Sequence, residues 1–78
     1  METNELPTIL IVDDIDENIL LIEVAVKKLN VNIIKANSGN EALAKIRNHE
    51  LALALIDMEM PQMGGQELSM KIHSDVYA

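Results

Sequence analysis

Three short apolar runs recur along the chain, each followed by polar residues. Ile9-Leu10-Ile11-Val12 leads into Asp13-Asp14, Val31 to Ala36 into Asn37-Ser38, and Leu51-Ala52-Leu53-Ala54-Leu55-Ile56 into Asp57. Short runs without polar alternation are the pattern of strands covered on both faces, as in a parallel sheet. They predict strands over residues 8–12, 31–36 and 51–57, the first starting just after Pro7. The second run, broken by Asn32 and Lys35, is the least apolar and reads as a sheet edge.

Between the runs the periodicity becomes helical. Ile19, Ile22, Val26 and Leu29 form a stripe, widened by Leu21 and Ala25. Asp16 is the expected cap, Lys27 and Lys28 suit the negative end, and Asn30 suits a left-handed stop. Ser38-Gly39-Asn40-Glu41 has the spacing of a capping box, opening a helix with Ala42, Leu43 and Ile46 inward and an end near Asn48. A loop with Pro61, Gly64 and Gly65 precedes a third helix, from Gln66 to about His73, carried by Leu68 and Ile72. The order β-α-β-α-β-loop-α, with right-handed crossovers, gives a parallel sheet with helices on both faces.

Composition narrows this picture. At 78 residues the chain is one small domain with a modest core. Hydrophobic residues make up 49% but aromatic ones 1%, so the core is aliphatic. Cysteine is absent, which removes disulfides, thiolate metal sites and thiol nucleophiles. A net charge of -7 argues against nucleic acid and anionic membrane surfaces as partners. No apolar stretch approaches the roughly 20 residues of a membrane span, and the first residues lack the pattern of a signal peptide. A cytoplasmic location is expected.

The candidate chemistry lies where the acids fall. Ligands bind open α/β sheets beyond the carboxyl ends of the strands, and Asp13, Asp14 and Asp57 all belong there. Gathered carboxylates repel unless a hard cation lies between them. Each acid also has a plainer reading, as a solvated loop residue or a helix cap. His49 and His73 read as surface residues, and Met58, Met60 and Met63 as loop packing. Lys27, Lys28, Lys35, Lys45 and Arg47 read as solvated faces.

These segments together resemble the receiver domain of bacterial response regulators and hybrid histidine kinases. Ile9 to Asp14 is similar to that family's first strand and acidic pair, with Asn18 and Leu21 suiting its first helix. Ala36 to Leu43 is similar to the exit of its second strand and start of its second helix. Leu55-Ile56-Asp57-Met58-Glu59-Met60-Pro61-Gln62-Met63-Gly64-Gly65 is similar to its phospho-acceptor strand and loop. The resemblance implies a flavodoxin-like α/β fold with strand order 2-1-3. Asp57 would accept the phosphoryl group. Asp14 and Asp57 would bind Mg²⁺ directly, Asp13 through water, and Glu59 through its backbone carbonyl. Pro61 and Gly65 would shape the loop. The implied partner is a histidine kinase or phosphotransfer protein, and the domain accepts rather than turns over, so it is not an enzyme.

The chain departs from the family in three ways. Gly64 stands where an acid is usual, and Glu59 occupies a variable position thought to tune phosphoryl lifetime. Family domains also run to roughly 120 residues and five strands. Residues 1–78 would then be a partial receiver domain without the switch Ser or Thr, the later Lys and the last two helices. Its third strand would be an open apolar edge, expected to be completed by a homodimer. Two other functions compete: a truncated, non-switching oligomerising α/β module, and a phosphatase of the haloacid-dehalogenase type. The second ranks last, because that class uses an aspartate where Glu59 stands.

Overall fold

The computed structural model describes residues 6–47, 49–58, 60 and 63–77, with side chains as far as His73. Its elements are β1 (Thr8–Val12), α1 (Asp16–Lys27), β2 (Asn32–Ala36), α2 (Gly39–Lys45), β3 (Leu53–Ile56) and α3 (Gly65–Tyr77). The strands form a parallel sheet in the order β2-β1-β3. Thr8 to Val12 pair with Asn32 to Ala36 on one side, and Ile9 to Val12 pair with Leu53 to Ile56 on the other. The central strand is the most buried, because both of its faces are covered: Leu10 and Ile11 are fully buried.

Alternation along β1 divides the core. Leu10 and Val12 point to one side and pack with Ala42 of α2 and Ile46 at its C-cap, Leu68 and Ile72 of α3, and Met60 and Met63. Ile9 and Ile11 point to the other side, against Ile19, Ile22 and Val26 of α1. The predicted helix spacings at Leu68 and Ile72, and at Ala42 and Ile46, therefore mark the inward faces.

Element ends differ from the sequence reading in informative ways. Ile15, not Asp16, is the α1 cap residue, and Asp16 is the first helical residue. The local acceptor is Asp13, whose Oδ1 takes the Ile15 N–H at 3.0 Å. Helix α1 stops at Lys27, two residues early, so Leu29 lies outside the stripe and is exposed; Leu21 is exposed too, at 70%. The left-handed stop falls where expected, with Asn30 at φ 60°. Strand β3 starts at Leu53 rather than Leu51, yet Leu51 is still buried in the larger core. The end of the second helix expected near Asn48 comes earlier, at Lys45.

The capping box at α2 forms in a modified version. Ser38 Oγ accepts the Glu41 N–H at 3.1 Å, while Glu41 Oε1 accepts the N–H of Asn37, not of Ser38, at 2.8 Å. That backbone hydrogen bond, with Lys45 2.9 Å away, holds the Glu41 carboxyl below the usual glutamate range. Lys35 pairs with Glu23 at 3.2 Å, and Lys45 also donates to the Lys35 carbonyl at 2.7 Å. These lysines clamp the surface between α1, β2 and α2 while staying solvated.

Candidate metal centre

Register delivers the acids to one place. Val12 pairs with Ile56, so the residues that follow, Asp13 and Asp57, leave the sheet at the same level. The ladder continues one step past each strand: Asp57 N–H donates to Val12 O at 2.9 Å, and Asp13 N–H to Ala36 O at 3.1 Å. Backbone position at both acids is thus fixed by the sheet, not by the loops. One carboxylate oxygen from each of Asp13, Asp14 and Asp57 lies within 4.8 Å of the others. Asp13 is buried, Asp57 half-buried and Asp14 exposed.

Asp13 is held by three hydrogen bonds to its carboxylate. Asn18 Nδ2 lies 3.3 and 3.2 Å from its two carboxylate oxygens, and the Ile15 N–H adds a third hydrogen bond. Asn37 Nδ2 donates to the Asp13 carbonyl at 3.3 Å and to Asp16 Oδ1 at 2.6 Å, joining the end of β2 to the start of α1. Sequence reading placed Asn18 only as a suitable helix residue and gave Asn37 no role beyond its motif. The five-residue step from Asp13 to Asn18 spans the turn into α1, a signal that could have marked the support.

Gly65 closes the site from below. A Cβ there would strike the Asp57 carbonyl oxygen and come within 2.6 Å of Met58 Cα, and the Gly65 N–H donates to Met58 O at 3.2 Å. The α3 start thus packs directly against the backbone of Asp57 and Met58. Glu59 and Pro61, expected to supply a carbonyl ligand and a fixed turn, lie outside the described residues.

The donor set suits a hard cation. All three groups are carboxylates, an oxygen chemistry that fits Mg²⁺, Ca²⁺ or Mn²⁺ rather than soft metals. Two like charges 4 Å apart near a protein surface repel by about 4 kcal/mol, so a cation between the three would relieve a real cost. The thioethers of Met60 and Met63 are buried in the core, as packing residues should be, whereas Met58 is 60% exposed.

Comparison with known proteins agrees with this geometry. The family model for the response regulator receiver domain matches residues 9–77. The chain is similar to the autoinducer 1 sensor kinase/phosphatase LuxN of Vibrio campbellii, with 36% identity over 69 residues, covering 88% of this chain and 8% of that protein. It is similar to the response regulator GtcR of Aneurinibacillus migulanus, with 37% identity over 68 residues, 87% of this chain and 28% of that protein. Among solved structures, a CheY-like receiver domain from Methanospirillum hungatei superposes with a TM-score of 0.82 and 36% identity, over 90% of this chain and 56% of that one. The response regulator TrrA of Thermotoga maritima, solved with Mg²⁺ and BeF, superposes at 0.81 with 30% identity, over 88% of this chain and 60% of that one. The chain thus spans a small part of its curated relatives and just over half of these solved receivers. With the sheet order, the acidic cluster and a family match over nearly its whole length, this chain belongs to the response regulator receiver domain family.

Proposed function

We propose that the chain accepts a phosphoryl group on Asp57, in two-component signalling, from the phosphohistidine of a histidine kinase or phosphotransfer protein. The observation that carries this reading is the convergence of Asp13, Asp14 and Asp57 at the carboxyl ends of β1 and β3. Asp13, Asp14 and Asp57, with the backbone carbonyl of Glu59, would hold Mg²⁺, which when bound offsets the charge of carboxylates and phosphoryl oxygens. Asp57 is the nucleophile: its half-buried position leaves a carboxylate oxygen reachable, while the sheet fixes its backbone. Asp13, fastened by Asn18 and Ile15, keeps one wall of the site rigid. The chain acts as acceptor rather than as an enzyme. The net charge of -7 and the lack of cysteine support a cytoplasmic module that does not bind nucleic acid.

Incubation with Mg²⁺ and a phosphorylated histidine kinase, followed by intact mass measurement, tests this. A single phosphoryl adduct is expected, and Asp57→Asn should remove it while leaving the circular dichroism unchanged. An adduct that persists in Asp57→Asn would sink the assignment.

A second reading concerns assembly. The outer edge of β3 has no pairing strand among the described residues, and Leu53 on it is 49% exposed. This favours self-association of the 78-residue chain through β3, beside or in place of phosphoryl acceptance.

A further inference from the structure

The acids of the cluster are not anchored alike. Asp13 has its carboxylate held from within its own turn, by Asn18 and the Ile15 N–H. Asp14 is exposed, and no described residue hydrogen-bonds to its carboxylate. Its place in the cluster therefore depends on its backbone.

That backbone is pinned from β2. Val12 pairs with Ala36, and the Asp13 N–H continues the ladder to the Ala36 carbonyl at 3.1 Å. The next rung of a parallel ladder would run from the backbone N–H of Ser38 to the Asp13 carbonyl. The chain has turned by then, because Ser38 is the cap residue of α2. The Asn37 side chain supplies the donor instead, with Nδ2 3.3 Å from the Asp13 carbonyl oxygen. That carbonyl and the Asp14 N–H share one rigid peptide plane. The bond thus sets the direction in which Asp14 leaves the strand.

Asn37 is exposed but not loose. Its N–H donates to Glu41 Oε1 at 2.8 Å, and Nδ2 also donates to Asp16 Oδ1 at 2.6 Å. A side-chain amide carries two N–H donors, and here both are used. The bond to the Asp16 carboxylate is short and charge-assisted, so it aims the remaining N–H at Asp13.

We infer that Asn37 is a positioning residue: by holding the Asp13–Asp14 peptide plane it aims the Asp14 carboxylate into the acid cluster and so sets the affinity for Mg²⁺. The inference rests on the reading of Asp13, Asp14 and Asp57 as the metal centre. A plainer role competes, in which Asn37 ties β2 to α1 through Asp16 and only steadies the fold. The two roles use different acceptors, so they can be separated.

The test compares two variants of the 78-residue chain. Asn37→Ala removes both side-chain bonds. Exchanging the pair, Asn37→Asp with Asp16→Asn, keeps a link between the two positions with donor and acceptor reversed, and leaves the Asp13 carbonyl without its donor. Mg²⁺ binding is measured by calorimetry and stability by urea titration. Both variants should raise the Mg²⁺ dissociation constant by about tenfold, the usual effect of removing a support behind a metal ligand. The exchanged pair should keep its urea midpoint. A carboxylate moved to position 37 attracts cations by charge alone, so weaker binding there reports the lost hydrogen bond. Recovery of affinity in the exchanged pair, or normal affinity in Asn37→Ala, would overturn the inference. In parallel, the three-bond NMR couplings of Asp14 are measured without metal. They should report one conformer in the unmodified chain and averaged conformers in both variants; unchanged couplings in Asn37→Ala would also overturn the inference. Failure of the unmodified chain to bind Mg²⁺ would instead strike at the metal centre, and the couplings would still decide whether Asn37 positions Asp14.

Discussion

At the scale of single residues, two positions carry the site without taking part in its chemistry. Gly65 is one. The α3 start runs against the backbone of Asp57 and Met58 so closely that a methyl group has no room. The obstacle is backbone, which cannot swing aside as a side chain can. Gly65→Ala should cost about 1–3 kcal/mol, the range for overpacking. A core this small supplies only about 3–5 kcal/mol, so the loss is a large share and should appear as a lower urea midpoint. It should also slow phosphorylation, because relief of the clash moves Asp57. A variant with normal stability and a normal phosphorylation rate would show that α3 does not brace the acceptor. Asn18 is the other. It grips both oxygens of Asp13, one of the predicted ligands, without being a ligand itself. Removing such a support weakens metal binding by about tenfold or more. Asn18→Ala should therefore raise the Mg²⁺ dissociation constant by about tenfold in calorimetry, with little change in helix content. Unchanged affinity would mean that the Ile15 N–H alone orients Asp13.

At the scale of elements, the apolar runs located all three strands, since burial on both faces demands continuous hydrophobicity. The ends were less legible, because they are decided by hydrogen bonds that pattern does not encode. Leu51 is buried like a strand residue but precedes β3, and Leu21 was placed inward by spacing yet faces solvent. Asp16 has the chemistry of a cap, but the cap position falls on Ile15, which makes no side-chain cap hydrogen bond and whose own N–H goes to Asp13. The acids were legible for the opposite reason. Strand register alone sets Asp13 beside Asp57, whereas Asn18 and Gly65 act through tertiary contacts that spacing only hints at. Capping at α2 was read correctly in its residues and differs in one partner. Ser38→Ala should cost about 1 kcal/mol. Glu41 adds a pH dependence. Its folded-state carboxyl titrates below the unfolded one, chiefly because of the Asn37 N–H and then Lys45. Its contribution is therefore full above the unfolded value and fades as pH falls through the folded value. Stability measured by urea titration down the acid range should decline less steeply in Glu41→Gln than in the unmodified chain. Since the Glu41 side chain is 38% exposed, the difference should be small and should shrink with salt. Parallel acid slopes in the two proteins would remove Glu41 from the account.

At the scale of the whole molecule, the sheet is asymmetric in how its edges are managed. The β2 edge carries Asn32 and Lys35, with Lys35 tied to Glu23 and its carbonyl to Lys45. Such charges discourage edge pairing. The β3 edge is Leu53-Ala54-Leu55-Ile56, with no charge at all. Beside it an open groove is lined by Leu51, Ala54, Ile56 and Ile72, with Ser69 and His73 at its margin. A two-fold axis across this edge would pair β3 with its copy antiparallel and continue the sheet through both. Four residues offer few ladder hydrogen bonds, so the association depends on the apolar surface joining them and should be weak. Sedimentation velocity on the 78-residue chain should then show a dimer that dissociates on dilution. Leu53→Lys places a charge on the exposed face of the edge without touching the larger core, which packs Ala54 and Ile56 instead. It should convert the dimer to monomer while preserving the circular dichroism. A monomer at every concentration before mutation would show that the β3 edge does not associate in this chain. A dimer that survives Leu53→Lys would move the contact elsewhere, with the exposed Leu20, Leu21 and Val24 of α1 as the next surface to test.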